Sequence, residues 1–198
     1  MSVRALADEI GVSPSLVSQI ERGKANPSVA TLYSIVSVLG ISLDDLFFDS
    51  VHAGEIADSP LAPASAVRSH GPVLRARDRP SVSLASGVRW ERLSPSADAE
   101  LDFLCVTYDV GAASCPPDAL MQHNGREYGL VLQGRVGATV GFESYELEPG
   151  DSIGFESSTP HRFWTIGDEP SVVVDRGDVA RVEPAAADRL SAGIRAGQ

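Results

Sequence analysis

Long apolar runs are missing from this chain: nowhere do about 18 uninterrupted apolar residues occur, the length a helix needs to cross a bilayer. The N-terminus lacks a basic stretch followed by a small-residue cleavage site, so no secretory leader is read there. Cysteine is scarce. Only Cys105 and Cys115 occur, too few for the disulfide framework of a small secreted domain. Two reduced thiols are the plain reading, with a redox or metal role as the alternative. These absences point to a cytoplasmic protein without a membrane partner. Cations are also in deficit, with a formal net charge of -11, which argues against a broad electrostatic grip on phosphate. What is present is 43% hydrophobic residues over a length that accommodates more than one small domain.

The distribution of charge matters more than its sum. In the first 50 residues Arg4, Arg22 and Lys24 face Asp8, Glu9, Glu21, Asp44, Asp45 and Asp49. Arg22 and Lys24 sit together, however, while Asp44, Asp45 and Asp49 lie at the other end of that segment. A second cationic stretch carries Arg68, Arg75, Arg77, Arg79, Arg89 and Arg92 against Asp78 and Glu91. It could help hold phosphate; a solvated surface is the simpler account.

Helical signals fill the N-terminal quarter. Val3, Leu6, Ala7 and Ile10 recur at helical spacing and stop at Gly11, a residue suited to the left-handed end of a helix. Ser13 can cap the next helix with Pro14 at its first position, where a missing N–H costs nothing. Val17 and Ile20 then face inward, while Ser15, Leu16, Ser18, Gln19 and Arg22 project outward until Gly23. Ser28 caps a third helix whose apolar face is Leu32, Ile35, Val36 and Leu39, ending at Gly40, and Leu43 to Phe47 makes a last short turn. A helix, a glycine turn and a capped helix form the geometry that sets a second helix into a major groove.

Residues 13 to 28 resemble the DNA-binding domain of the phage Cro and repressor (XRE) class, through a serine-capped helix ending in Q-I-E-R-G-K and then N-P-S. The resemblance covers about 45 residues. It implies that Ser13, Pro14, Ser15 and Gln19 approach base edges and that Ser18, Arg22 and Lys24 meet phosphates. Glutamine can hold an adenine edge with two hydrogen bonds, and serine can bond either base. For Ser13 and Pro14 the alternative is that they only start the helix. Domains of this class open with a further helix, and here Met1 is followed at once by what resembles the second. The expectation is a start placed too far downstream, or else a truncated domain stabilised by a dimer.

Between 49 and 71 the chain is rich in Ala, Ser, Pro and Gly without sustained period, which reads as a linker. His52 and His70 belong to it and read as solvated bystanders. From 72 to 178 short alternating strands follow: 73–76, 88–93, 101–110, 127–132, 135–140, 145–147, 151–155, 161–165 and 172–175, separated by turns such as Gln133-Gly134 and Pro149-Gly150-Asp151. This punctuation predicts an antiparallel sandwich or barrel. Asp151 is expected to fix its turn. Residues 179–198 form a tail.

The barrel segment resembles the cupin fold, a β jelly roll, whose first motif is H-x-H, three or four residues, E, six residues, G. Here Met121, His123, Glu127 and Gly134 stand at those offsets, and the stretch from P-G-D to P-H supplies His161. The resemblance implies a pocket built on His123, Glu127 and His161. Met121 departs from the pattern, so any metal would rest on three residues, and a thioether suits iron or manganese poorly. Two readings of the trio stand: a hydrogen-bonded polar cluster that recognises an organic effector, or the holder of a divalent ion (Fe, Mn, Zn or Ni). Arg126, Tyr128 and Trp164 are further effector-binding candidates, although side chains alternate across a strand, so not all can line one pocket. Tyr108 and Gln133 are weaker candidates.

The fold expected is therefore an α + β two-domain chain: an all-α helix-turn-helix bundle lacking its first helix over 1–48, a linker over 49–71 and an all-β cupin jelly-roll barrel over 72–178. The function expected is a transcription regulator, a homodimer that binds double-stranded operator DNA and answers to a small-molecule effector in its cupin. The alternative is a mononuclear iron enzyme of the epoxidase or oxygenase type, which the resemblance also allows because such enzymes join an XRE-like domain to a cupin. A sugar or keto-acid isomerase is disfavoured by the missing first histidine. Pocket and recognition helix are expected to lie in different domains joined by a flexible linker, with coupling through dimer geometry.

Overall fold

In the computed structural model, residues 1–41, 43, 47, 71–96 and 101–178 are described. Three helices open the chain: α1 (Val3–Glu9), α2 (Pro14–Glu21) and α3 (Val29–Leu39). Each begins on a serine whose side-chain oxygen accepts a backbone N–H three residues on, Ser2 from Ala5, Ser13 from Leu16 and Ser28 from Thr31. Pro14 occupies the first turn of α2. Gly40 ends α3 with φ 66°, a left-handed conformation that spares the last carbonyls at no steric cost. Ala7, Val17 and Ile20 are buried where α1 crosses α2.

Among the described residues nine strands follow: β1 (Ser81–Ser83), β2 (Val88–Arg92), β3 (Leu101–Tyr108), β4 (Arg126–Gln133), β5 (Arg135–Val140), β6 (Glu143–Leu147), β7 (Ser152–Glu156), β8 (His161–Ile166) and β9 (Ser171–Asp178). A six-stranded antiparallel sheet runs β1-β2-β3-β9-β4-β7, and a three-stranded sheet runs β6-β5-β8. The strand expected over 73–76 is absent. That stretch leads into a short 3-10 turn, Ala76–Asp78, and the first strand is Ser81–Ser83, which pairs with Ser83 opposite Arg89. Arg75, Arg77 and Arg79 all fall in or beside the turn, and the hydrophobic alternation of Val73 to Ala76 is too short to outweigh it. The tail and all of the linker except Gly71 lie outside the described residues.

Strand parity decides what faces inward. Residues paired directly opposite share one face, so Leu104, Asp175 and Gly129 form one inward row, and Glu127, Phe155 and Gly177 another. On the smaller sheet Val140 pairs with His161 and Ala138 with Phe163 on the inner side, while Gly137 and Trp164 pair on the outer side. Gly137 has to be a glycine: a Cβ there would stand 2.0 Å from the Trp164 ring.

The helices are seated on the barrel. One continuous apolar core joins Val29, Leu32 and Val36 of α3, with Leu43 and Phe47, to Leu84, Val88, Trp90, Leu104 and Val106 of the strands. A backbone hydrogen bond, Ala85 N–H donating to the Pro27 carbonyl at 2.9 Å, ties the turn before α3 to the turn after β1. The third helix is therefore shared by both parts of the molecule, a contact that a reading of two domains joined only by a linker does not anticipate. Among the described residues no helix is long and apolar enough to cross a membrane.

Candidate functional site

His123, Glu127 and His161 converge from three elements. Glu127 is the second residue of β4, turned inward by strand parity, and is 5% exposed. His161 opens β8 and is completely buried. His123 precedes β4 in a segment whose backbone is clamped, its N–H donating to Ser157 O at 3.0 Å while Ser157 N–H donates to Gly125 O at 2.9 Å. Met121 and His161 exchange both backbone hydrogen bonds, at 3.0 and 2.9 Å, which lays the His123 segment alongside β8. The ligand-type atoms of the three side chains all lie within 4.8 Å of one another.

The protons on the two rings can be assigned from their partners. His161 Nδ1 lies 2.8 Å from the Thr159 carbonyl and His123 Nδ1 lies 3.2 Å from the Asn124 carbonyl. A carbonyl only accepts, so each Nδ1 carries a hydrogen, and in the neutral tautomer this fixes, Nε2 is the ring's lone-pair atom. Both lone pairs point at one carboxylate oxygen, Glu127 Oε1, at 2.6 Å from His123 and 3.3 Å from His161. All three atoms are buried, and none has a hydrogen bond of proper geometry. Three electron-rich atoms that close together repel unless a proton or a cation sits among them. A proton on His161 is disfavoured, because burial lowers its pKa and only part of that is returned by Glu127 and the Thr159 carbonyl. Two imidazoles oriented by carbonyls plus one carboxylate are a donor set that fits a divalent cation.

Beside the trio lies a cavity of about 20 Å³ lined by Val106, Tyr108, Glu127, Phe155, Phe163 and Asp175, room for about one water-sized guest. Asp175 projects from β9 into it. Burial first, and then the negative charges of Glu127 and Asp102, raise its pKa well above the usual carboxylate range. Tyr108 is raised in the same way, by burial and then by Asp175 and Glu127. A helix also reaches the trio. The Tyr33 ring of α3 stacks flat on His123, with centroids 4.2 Å apart and planes 7° from parallel, and meets Trp90 edge-on at 5.6 Å.

The other effector candidates fall elsewhere. Arg126 and Tyr128 flank Glu127 in sequence and so take the outer face. Arg126 is exposed, pairs with Glu156 and donates to the Tyr128 hydroxyl at 3.3 Å. Trp164 also lies outside, over Gly137, with the Arg162 guanidinium 4.7 Å from its ring. Gln133 is exposed, and Tyr108 lines the cavity. Asp151 accepts from the Glu148 N–H at 2.9 Å and holds its turn. Both cysteines are buried free thiols. Asp175, Phe155 and Phe163 escaped the sequence reading. Asp175 left a trace, a carboxylate closing the run Val172-Val173-Val174; Tyr33 left none, because its role depends on a contact across 90 residues of sequence.

On α2, Ser13, Pro14, Ser15, Gln19 and Arg22 are exposed, as is Lys24 just beyond, and Ser18 is half-buried. Ser15, Ser18, Gln19 and Arg22 lie on the side of the helix away from Val17 and Ile20, while Ser13 and Pro14 open its first turn. Gln19 Nε2 lies 3.4 Å from Ser15 Oγ, and Arg22 Nε donates to the Ser18 carbonyl at 3.0 Å, at the negative end of the helix.

A helix-turn-helix family model matches residues 1–46, and a cupin domain model matches residues 104–183. Over 163 residues the chain is 24% identical to the HTH-type transcriptional regulator PuuR of Escherichia coli K12, covering 82% of this chain and 79% of that protein. Among solved structures, an HTH_3 family transcriptional regulator from Vibrio cholerae is 24% identical with a TM-score of 0.61, covering 91% of this chain and 88% of the other. An RmlC-like cupin from Shewanella frigidimarina is 16% identical with a TM-score of 0.48, covering 61% and 96%. The α + β order expected from the sequence, helices first and a cupin-type β domain after, is the order in which the two family models match the chain.

Proposed function

We propose that this chain, a helix-turn-helix domain of the XRE type joined to a cupin domain, is a DNA-binding regulator of transcription whose cupin pocket takes up a small-molecule effector beside a divalent ion. The observation that carries the reading is the pairing of two faces in one molecule. One is a solvent-facing α2 with polar tips and a cationic end; the other is a buried His-Glu-His trio whose lone pairs converge without hydrogen bonds. The named relative, a transcriptional regulator, supports the first half. His123, Glu127 and His161 would hold the ion, which supplies open coordination positions for oxygen or nitrogen donors of the effector. Asp175 and Tyr108 give that guest polar partners within an otherwise apolar wall. Gln19, Ser15, Ser13 and Pro14 would meet base edges, and Ser18, Arg22 and Lys24 phosphates.

A single helix-turn-helix reads one half-site, so the working form proposed is a homodimer on paired half-sites about one helical turn apart. Its natural contact is the outer face of the larger sheet, where Tyr128, Leu130 and Leu132 are exposed along β4 and Phe103 on β3, across β9.

The test is selection of duplexes from a random pool, followed by titration of variants. Gln19→Ala should lower affinity for the selected duplex by about 1 to 3 kcal/mol and relax preference at one base pair. Arg22→Ala should instead weaken selected and random DNA alike and reduce the salt dependence by about one ion. Failure to enrich any sequence, with iron-dependent turnover of an oxidisable substrate, would move the reading to a cupin oxygenase.

A further inference from the structure

The cavity beside the trio, about 20 Å³, admits a guest no larger than water, whereas pockets for organic ligands run to about 300 Å³ and more. Something must move to admit one. Most of the wall is strand, held by the ladders of β3, β9, β4, β7 and β8. Tyr33 stands outside that wall, next to the trio: it belongs to α3, outside both sheets, and its ring covers His123 face to face at 4.2 Å.

We propose that Tyr33 is a residue of the cupin pocket supplied by the helix-turn-helix domain, and that through its stack on His123 the occupancy of the pocket is linked to the seating of α3 on the barrel. This rests on the reading of the pocket as an ion and effector site.

The route is short. His123 offers Nε2 to the ion and its ring face to Tyr33, so an ion that fixes the imidazole also fixes the surface on which Tyr33 lies. Tyr33 lies on the helix that follows α2 after the turn from Arg22 to Ser28, and that turn is itself pinned to the barrel at Ala85. An ion therefore favours the seated helix. Linkage is reciprocal: whatever factor the ion adds to seating, seating adds to ion affinity.

The test uses Co²⁺ as the probe and the full chain. Its visible d–d bands report occupation of the trio, and hydrogen exchange of the α3 amides reports seating. In the wild-type protein Co²⁺ should slow α3 exchange about fivefold or more. In Tyr33→Ala the bands should persist, Co²⁺ should bind more weakly by that same factor, and the slowing should shrink to within about twofold. Tyr33→Phe, which keeps the ring, should retain the slowing, and Tyr33→Leu, which keeps apolar bulk without the flat stack, should lose it. Slowing that survives in both Tyr33→Ala and Tyr33→Leu overturns the proposal, as do wild-type bands without any change in α3 exchange. If the wild-type protein shows no bands, the ion reading alone falls and His123→Ala decides. Faster α3 exchange with β5 unchanged upholds the Tyr33 linkage, and unchanged α3 exchange overturns it.

Discussion

Loading the trio with metal should stabilise the protein in a way that depends on one carboxylate. His123, Glu127 and His161 come from a loop, β4 and β8, so an ion among them joins segments that are far apart in the unfolded chain, and it binds the native form selectively. At a free ion concentration a hundredfold above Kd the gain is about 2.7 kcal/mol. For a chain of this size that corresponds to a rise of about 5 to 11 °C in Tm. Glu127→Gln keeps the side-chain length but removes the only anion. Losing a group that merely orients a ligand costs about 10- to 100-fold in affinity, and losing a ligand costs more, so the rise should vanish in the variant. The pH dependence has a definite sign. Ion binding needs neutral imidazole, and the folded pKa of His161 lies below its usual value because of burial. That contribution is present in full above the unfolded value of about 6.5 and is lost as pH falls through the lower folded value, so the rise should persist down to about pH 6.5. The assay is thermal unfolding with Mn²⁺, Fe²⁺, Zn²⁺ or Ni²⁺ added in turn, with metal analysis of the dialysed protein. No rise with any of the four, or the same rise in Glu127→Gln, refutes the reasoning.

Three further outcomes follow from the fold. Asp175→Asn should stabilise the protein at pH 7 by about 1 to 2 kcal/mol in denaturant titrations, because burial and the negative charges of Glu127 and Asp102 disfavour its carboxylate and the amide carries no charge. Since the folded pKa of Asp175 is raised, the wild-type protein is most stable below the unfolded value of about 3.9 and loses that contribution as pH climbs to the folded value; the variant should lack this slope, and a less stable variant at pH 7 would count against the account. Gly137→Ala should cost about 1 to 3 kcal/mol, read by the same titration, because its Cβ would displace the Trp164 ring and with it the Arg162 contact. Leu130→Lys should shift the mass measured by light scattering from dimer to monomer at micromolar concentration while the circular dichroism stays unchanged; a dimer that persists places the interface elsewhere.

The helical caps and most strands were legible in the sequence because they rest on local rules. Ser13, Ser28 and Gly40 announce helix ends through their own backbone chemistry, and β5 could be bounded at Arg135 and Val140 because Gly134 and Gly141 punctuate it. Parity within a strand was legible too, but its phase was not. Alternation states that Glu127 must oppose Arg126 and Tyr128; the register Glu127 opposite Phe155 and Gly177 then turns Glu127 inward and sends its neighbours to the outer face. The expected strand at 73–76 failed for the complementary reason, since a short apolar alternation beside clustered arginines carries too little information to specify pairing.

Tyr33 marks where local reading ends. Its sequence neighbours, Leu32 and Val36, already explain why α3 has an apolar face, and that face would be satisfied by α1 and α2 alone in a free-standing helical bundle. The structure spends part of it on Val88, Trp90 and Val106 instead. A helix whose apolar side is divided between two partners cannot shift relative to one without changing what it buries against the other, at about 25 cal/mol per Å² of apolar surface. The expectation that the barrel can signal only through dimer geometry therefore omits a route. Any change in the pocket that alters the His123 ring plane acts at once on the seat of α3, and so on the element that precedes it, the solvent-facing α2.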